Sequence, residues 1–135
     1  MSRVVHLAIK VDNFEEAASF WEKVFGFKRS DVQWKRGHTS CHLTDGKFDL
    51  ALVQYDSEDT VEADWAGPGP RIHHLGLAVD DAEALEGQLR SYGCEILSKP
   101  GVMPIKFRDP GGIVAEIGPT SIYPGVSHSA DASGR

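Results

Sequence analysis

The chain has 135 residues, 41% of them hydrophobic, and a formal net charge of -6. That apolar content is enough for a real core and excludes a disordered chain, while the acidic balance, with a pI near 5.4, argues against nucleic acid or an anionic membrane as the main partner. A small molecule is the expected partner, bound by one compact domain or two small fused units.

The first element is the strand HLAIKVD, His6 to Asp12, which alternates Leu7, Ile9 and Val11 on one face with His6, Ala8 and Lys10 on the other. Asn13 is placed to cap a helix, with Glu16 three positions on. Phe14, Ala17, Ala18, Trp21, Val24 and Phe25 form its apolar stripe, expected to pack on the aliphatic face of the strand, and Gly26 ends it. Three strands are then expected, at 27–35, 39–43 and 48–55, broken by Arg36-Gly37 and by the hairpin signal Asp45-Gly46. Residues 56–70, acidic and then rich in Gly and Pro, read as a linker or lid.

The strand then recurs as HLGLAVD, His74 to Asp80, with Leu75, Leu77 and Val79 opposite His74, Gly76 and Ala78. Asp80 or Asp81 caps a second helix with the stripe Ala82, Leu85, Leu89 and Tyr92, closed by Gly93. Strands are expected at 95–98, 103–107 and 113–118, the last after the turn DPGG. The fold expected is therefore α+β: two tandem β-α-β-β-β units, residues 1–55 and 71–118, forming a cupped mixed sheet with the helices on its outer face. Residues 119–135 are expected to be a flexible tail in which His128 is solvated. Cys41 and Cys94, in a sequence with no apolar signal segment and no apolar run of about 18 residues, are expected to be free thiols of a cytoplasmic protein.

On the last strand Glu116 alternates with Val114 and Gly118, opposite Ile113, Ala115 and Ile117. A carboxylate in such surroundings is costly to bury unless it is paired or holds a metal. If the two units fold alike and pair, His6, His74 and Glu116 converge on one concave surface as a two-histidine, one-carboxylate set. Fe(II) favours that set, and Mn, Ni, Co or Zn accept it.

The duplicated unit, the repeated HLxxxVD strands and the ending RDPGGIVAEIG together resemble the vicinal oxygen chelate superfamily, over residues 3–118. That superfamily includes glyoxalase I, extradiol dioxygenases, fosfomycin-resistance proteins, methylmalonyl-CoA epimerase and bleomycin-resistance proteins. The resemblance implies a divalent metal held by His6, His74 and Glu116, with a fourth position near Leu52. A glyoxalase I glutamate would stand at that fourth position, so three protein ligands remain, unless Gln54 on the same face substitutes. Lys106 stands where the dioxygenase and fosfomycin branches carry a tyrosine. The activity expected is that of a metalloenzyme on a small oxygen-bearing molecule, dioxygenase-like first. A lyase or isomerase, or a metal-free drug- or metabolite-binding protein, is the alternative. A homodimer is expected by the same resemblance.

Further candidates surround the triad. His42 is a candidate general acid or base and Lys106 a partner for an anionic substrate, against the plainer readings of a hydrogen-bonded strand histidine and a solvated lysine. Trp34, Gln54 and Trp65 are candidate substrate-binding residues, although either tryptophan could equally be packing. His73 is expected to face away from His74, and His38 to be exposed.

Overall fold

The computed structural model describes residues 1–35 and 37–127, so His128 lies outside the described residues. The first unit comprises β1 (Arg3–Lys10), α1 (Phe14–Phe25), β2 (Lys28–Lys35), β3 (His38–Thr44) and β4 (Asp49–Tyr55). A short α2 (Val61–Asp64) precedes the second unit, which comprises β5 (Arg71–Ala78), α3 (Ala82–Tyr92), β6 (Ile105–Arg108) and β7 (Val114–Gly118), with a 3-10 turn at Thr120–Ile122. One seven-stranded mixed sheet runs in the order β2-β3-β4-β1-β5-β7-β6. β1 pairs parallel with β4 and β5 parallel with β7, and the units join where the two repeated strands run antiparallel.

The alternation read from the repeated strands sets the two faces. Leu7, Ile9, Leu43, Leu50 and Leu52 pack under Phe14, Ala17, Ala18 and Trp21 of α1. Leu75, Leu77, Val79, Ala115 and Ile117 pack under Ala82, Leu85 and Leu89 of α3. Both helices start as expected, the Asn13 side chain accepting the Glu16 N–H and Asp81 that of Ala84. Asp80 instead pairs with the N-terminal amine. Gly26 and Gly93 close the helices at φ 74° and 93°, left-handed values that favour glycine. Among the described residues no helix is long and apolar enough to cross a membrane, and both cysteines are free thiols.

Four expectations change. The apolar stripes are not buried throughout: Val24, Phe25 and Tyr92, in the last turn of their helices, are exposed. The strand expected at 95–98 is reduced to a single bridge between Ile96 and Phe107. There Leu97 and Ser98 both donate to the Lys106 carbonyl, and the Ser98 hydroxyl accepts the Lys106 N–H at 2.6 Å, so a side chain replaces the ladder. Residues 56–70 are pinned rather than slack. The buried Lys10 ammonium donates to Glu58 Oε1, the Ala63 carbonyl and the Gly67 carbonyl at 2.9, 3.0 and 2.7 Å. Beyond residue 119 the chain does not fray as far as residue 127, since Tyr123 and Val126 are buried against Val5 and Ala78.

Candidate metal centre

The concave face of the sheet is a cup of about 350 Å³ whose floor is built from small residues. Ala8, Ala51 and Gly76 lie on adjacent strands, Ala8 beside Ala51 on one side and Gly76 beside Glu116 on the other. This register corrects the fourth position. If His6 corresponds to His74, then Ala8 corresponds to Gly76, and the neighbour equivalent to Glu116 is Ala51. Leu52 points the other way, into the core under α1.

His6, His74 and Glu116 are brought together, all buried, with one donor atom from each lying within 4.8 Å of the others. His6 Nε2 stands 3.2 Å from His74 Nε2, His74 Nε2 3.0 Å from Glu116 Oε1, and His6 Nε2 3.6 Å from Glu116 Oε2. Three ligands held about 2.1 Å from one ion at octahedral to tetrahedral angles lie about 3.0 to 3.4 Å apart. Two of the separations fall in that range and the His6–Glu116 separation of 3.6 Å lies just beyond it, close to what a divalent cation needs. The charges fit as well. Burial opposes ionisation of Glu116, but the rings of His74 and His6 and the Lys106 ammonium outweigh it and hold the carboxyl well below the usual range. Burial pushes His74 down to about 4 in spite of Glu116, favouring the uncharged form that a metal ligand requires at pH 7.

Asp49, absent from the expected site, organises one side of it. Fully buried, it accepts the Nδ1–H of His6 on Oδ2 at 2.6 Å and the Nδ1–H of His42 on Oδ1 at 2.7 Å. Burial works against its charge, yet these two hydrogen bonds keep it ionised below the usual carboxylate range. An ionised carboxylate only accepts, so His6 and His42 each donate to it from Nδ1, and His6 turns its Nε2 toward His74 and Glu116.

His73 is the second surprise. His74 pairs with Ala8 and Ile72 with Ile9, so His73 is the extra residue of a β-bulge. The bulge breaks the alternation and brings His73 to the same side as His74, with the two Nδ1 atoms 2.8 Å apart and His73 Nε2 2.8 Å from the Glu62 carbonyl. Burial lowers the pKa of His73. A second bulge at Val5 lets His6 face the cup while Val5 meets Tyr123. The Tyr123 hydroxyl is the one buried side-chain polar atom without a hydrogen-bond partner among the described residues, and its ring centroid lies 5.1 Å from that of His6. Burial, reinforced by the Glu116 and Asp49 carboxylates, keeps it protonated. An orphaned donor beside three converging acceptors is consistent with a centre meant to hold an ion and its oxygen ligands.

The other candidates divide. His42 and Lys106 line the cup, and the Lys106 ammonium is 3.6 Å from Glu116 Oε1. His38 also lines it, half-buried, its pKa lowered by burial. Trp34 is 66% exposed and does not line the cup, because Asp31, Gln33 and Lys35 are the β2 residues that face it. Gln54 is engaged elsewhere, its Oε1 accepting the Phe14 N–H at the start of α1. Trp65 borders a separate small cavity behind His73 and His74, together with Ile113. Asp49 was legible only as a carboxylate on the same alternating face as Ala51 and Val53, and Tyr123 lay beyond the expected end of the fold.

The solved structure of a hypothetical protein, BH1468 from Bacillus halodurans C-125, matches with a TM-score of 0.74 at 18% identity, over 86% of this chain and 92% of that one. Methylmalonyl-CoA epimerase from Mycobacterium tuberculosis matches with a TM-score of 0.69 at 21% identity, over 84% and 85%. A mutant of 4-hydroxymandelate synthase from Streptomyces coelicolor matches with a TM-score of 0.74 at 22% identity, over 86% of this chain but 36% of that one. At these identities the likeness is one of fold. No sequence among curated proteins matches the chain. The profile of the Glyoxalase/Bleomycin resistance protein/Dioxygenase superfamily matches residues 3–117, and the chain belongs to that superfamily.

Proposed function

We propose that the protein is a divalent-metal-dependent enzyme acting on a small oxygen-bearing molecule, dioxygenase-like, with Fe(II) held by His6, His74 and Glu116. The observation that carries this reading is the convergence of two imidazoles and a carboxylate, all buried, at ligand spacing on the floor of a polar cup. The chemistry such an ion supplies when bound is Lewis-acid polarisation of substrate oxygens at its open positions and, for iron, reaction with dioxygen.

The chain's own residues have definite tasks in this reading. Asp49 fixes His6 through its Nδ1–H and holds His42 with Nε2 free to take a proton from substrate. Lys106 offers a cation to an anionic group beside Glu116, and Tyr123 offers a protonated hydroxyl. The pair of His42 and Asp49 favours a second reading, a lyase or isomerase that moves a proton on a metal-bound substrate. We retain the homodimer and the cytoplasmic location as parts of the proposal, the first read by sedimentation velocity.

Elemental analysis of untagged protein purified anaerobically, beside His6→Ala and Glu116→Ala, tests the proposal. About one equivalent of metal, lost in both variants, is expected. Iron with substrate-dependent oxygen uptake supports the dioxygenase reading, whereas zinc, cobalt, nickel or manganese with substrate-proton exchange into deuterated water supports the second. A wild-type protein that takes up no metal after reconstitution, yet binds small molecules, leaves a metal-free binding protein.

A further inference from the structure

We infer that His73 is the positioning residue of His74: it accepts the His74 Nδ1–H, hands its own Nε2–H to the Glu62 carbonyl, and so leaves His74 Nε2 as a lone pair facing His6 and Glu116. The inference rests on the metal reading. The row runs from the Glu62 carbonyl through His73 and His74 to the Glu116 carboxylate, with contacts of 2.8, 2.8 and 3.0 Å. Both ends of the row only accept hydrogen bonds. A histidine holds a metal ion only when uncharged, and two uncharged imidazoles bring two protons to three contacts, so one contact lacks a proton.

The fold decides which. The Glu62 carbonyl belongs to α2, whose surroundings are tied down by Lys10 through Ala63 and Gly67, so it cannot turn away. A part-buried carbonyl facing a bare nitrogen at 2.8 Å would be two acceptors in contact, which places a proton on His73 Nε2. His73 is itself buried, among the rings of Tyr55, Trp65 and His74, and among the described residues no carboxylate oxygen is hydrogen-bonded to it to stabilise an imidazolium. Neutral His73 then has a bare Nδ1, and His74 must donate to it. The missing proton falls between His74 Nε2 and Glu116, the one contact in the row where a cation can take its place. On this argument the segment 56–70 is a strut of the metal centre, and the bulge that brings His73 inward is what connects it.

The test uses the full chain, 15N-labelled, with and without one equivalent of Zn(II). Long-range 1H–15N spectra of the imidazoles report which nitrogen of each ring carries hydrogen. We expect Nε2–H on His73 in both samples and Nδ1–H on His74 with Zn(II). Competition against a chromogenic chelator should show His73→Phe, which keeps the aromatic packing, weakening Zn(II) binding by roughly 10 to 100-fold. His73→Asn, whose amide oxygen can stand where Nδ1 stands, should recover most of that loss. Hydrogen on His73 Nδ1, or Zn(II) binding by His73→Phe as tight as in the wild type, overturns the inference. Should the wild type take up no Zn(II), the metal reading falls while the metal-free spectrum still decides the tautomer of His73.

Discussion

Asp49 and His6 are neighbours across β4 and β1, and the carboxylate takes the imidazole Nδ1–H at 2.6 Å while its second oxygen takes that of His42. One buried anion thus sets the proton positions of a proposed ligand and of a proposed base. In Asp49→Asn one oxygen remains to accept and the amide hydrogens confront the other ring, so one of the two histidines must switch tautomer. Affinity for Co(II) should fall roughly 10 to 100-fold, read by chelator competition. Unchanged affinity would remove Asp49 from the account of the site.

Gly76 is a spatial requirement. A Cβ added there would lie 2.8 Å from His6 Cδ2 and 3.0 Å from the Tyr123 hydroxyl, inside normal contact distances. Gly76→Ala should push His6 off its position, weaken metal uptake and lower stability by about 1–3 kcal/mol in urea unfolding of the metal-free protein.

Lys10 holds three acceptors of the 58–67 segment from a fully buried position. Lys10→Met keeps the aliphatic stem and leaves those acceptors unpaired, at about 1–3 kcal/mol for each one that water cannot reach. Amide hydrogen exchange should rise in peptides spanning residues 56–70 before the rest of the sheet responds. Uniform protection across the chain would contradict the role of Lys10 as the tether of this segment.

The metal-free protein should lose stability as pH falls from neutrality. His38, His73 and His74 have folded pKa values below the ordinary 6.5, so the unfolded chain binds more protons and folding is favoured fully only above that value. Stability is lost as pH falls from about 6.5 toward the folded value of His74 near 4. Asp49 and Glu116, depressed carboxylates, add to the loss only below their unfolded values of 3.8 and 4.5. Thermal melts between pH 7.5 and 5 in the presence of a chelator should therefore show a falling midpoint, and a flat profile over that window would refute the assigned burial of these histidines.

The duplicated strands, the two faces of the sheet and the three converging residues could be read from the chain because each depends on period-two alternation and on a repeat. What alternation cannot show is where it breaks. The bulges at Val5 and His73 shift single residues across the sheet, which is how His73 came to be read as facing away. The fourth position missed by one residue for a related reason: pairing Leu52 with the glyoxalase glutamate relied on sequence spacing, and only the register of β1 with β4 identifies Ala51. Gln54 shares the Leu52 face of β4 and is taken up by the start of α1, and Trp34, on the edge strand β2, alternates away from the cup that Asp31, Gln33 and Lys35 face. Tyr123 returns to the site through packing on Val5, a contact across more than a hundred residues that no local pattern encodes.

Ala51 stands where symmetry would have placed a second carboxylate, so the two repeats contribute unequally. The first half brings His6, held by Asp49, to His74 and Glu116 of the second, and Asp31, Gln33, Ser40, Ala51 and Val53 of the first half also line the cup. On the proposed function, changes confined to β2 and β3 should alter which small molecule the cup accepts while leaving His6, His74 and Glu116 in place.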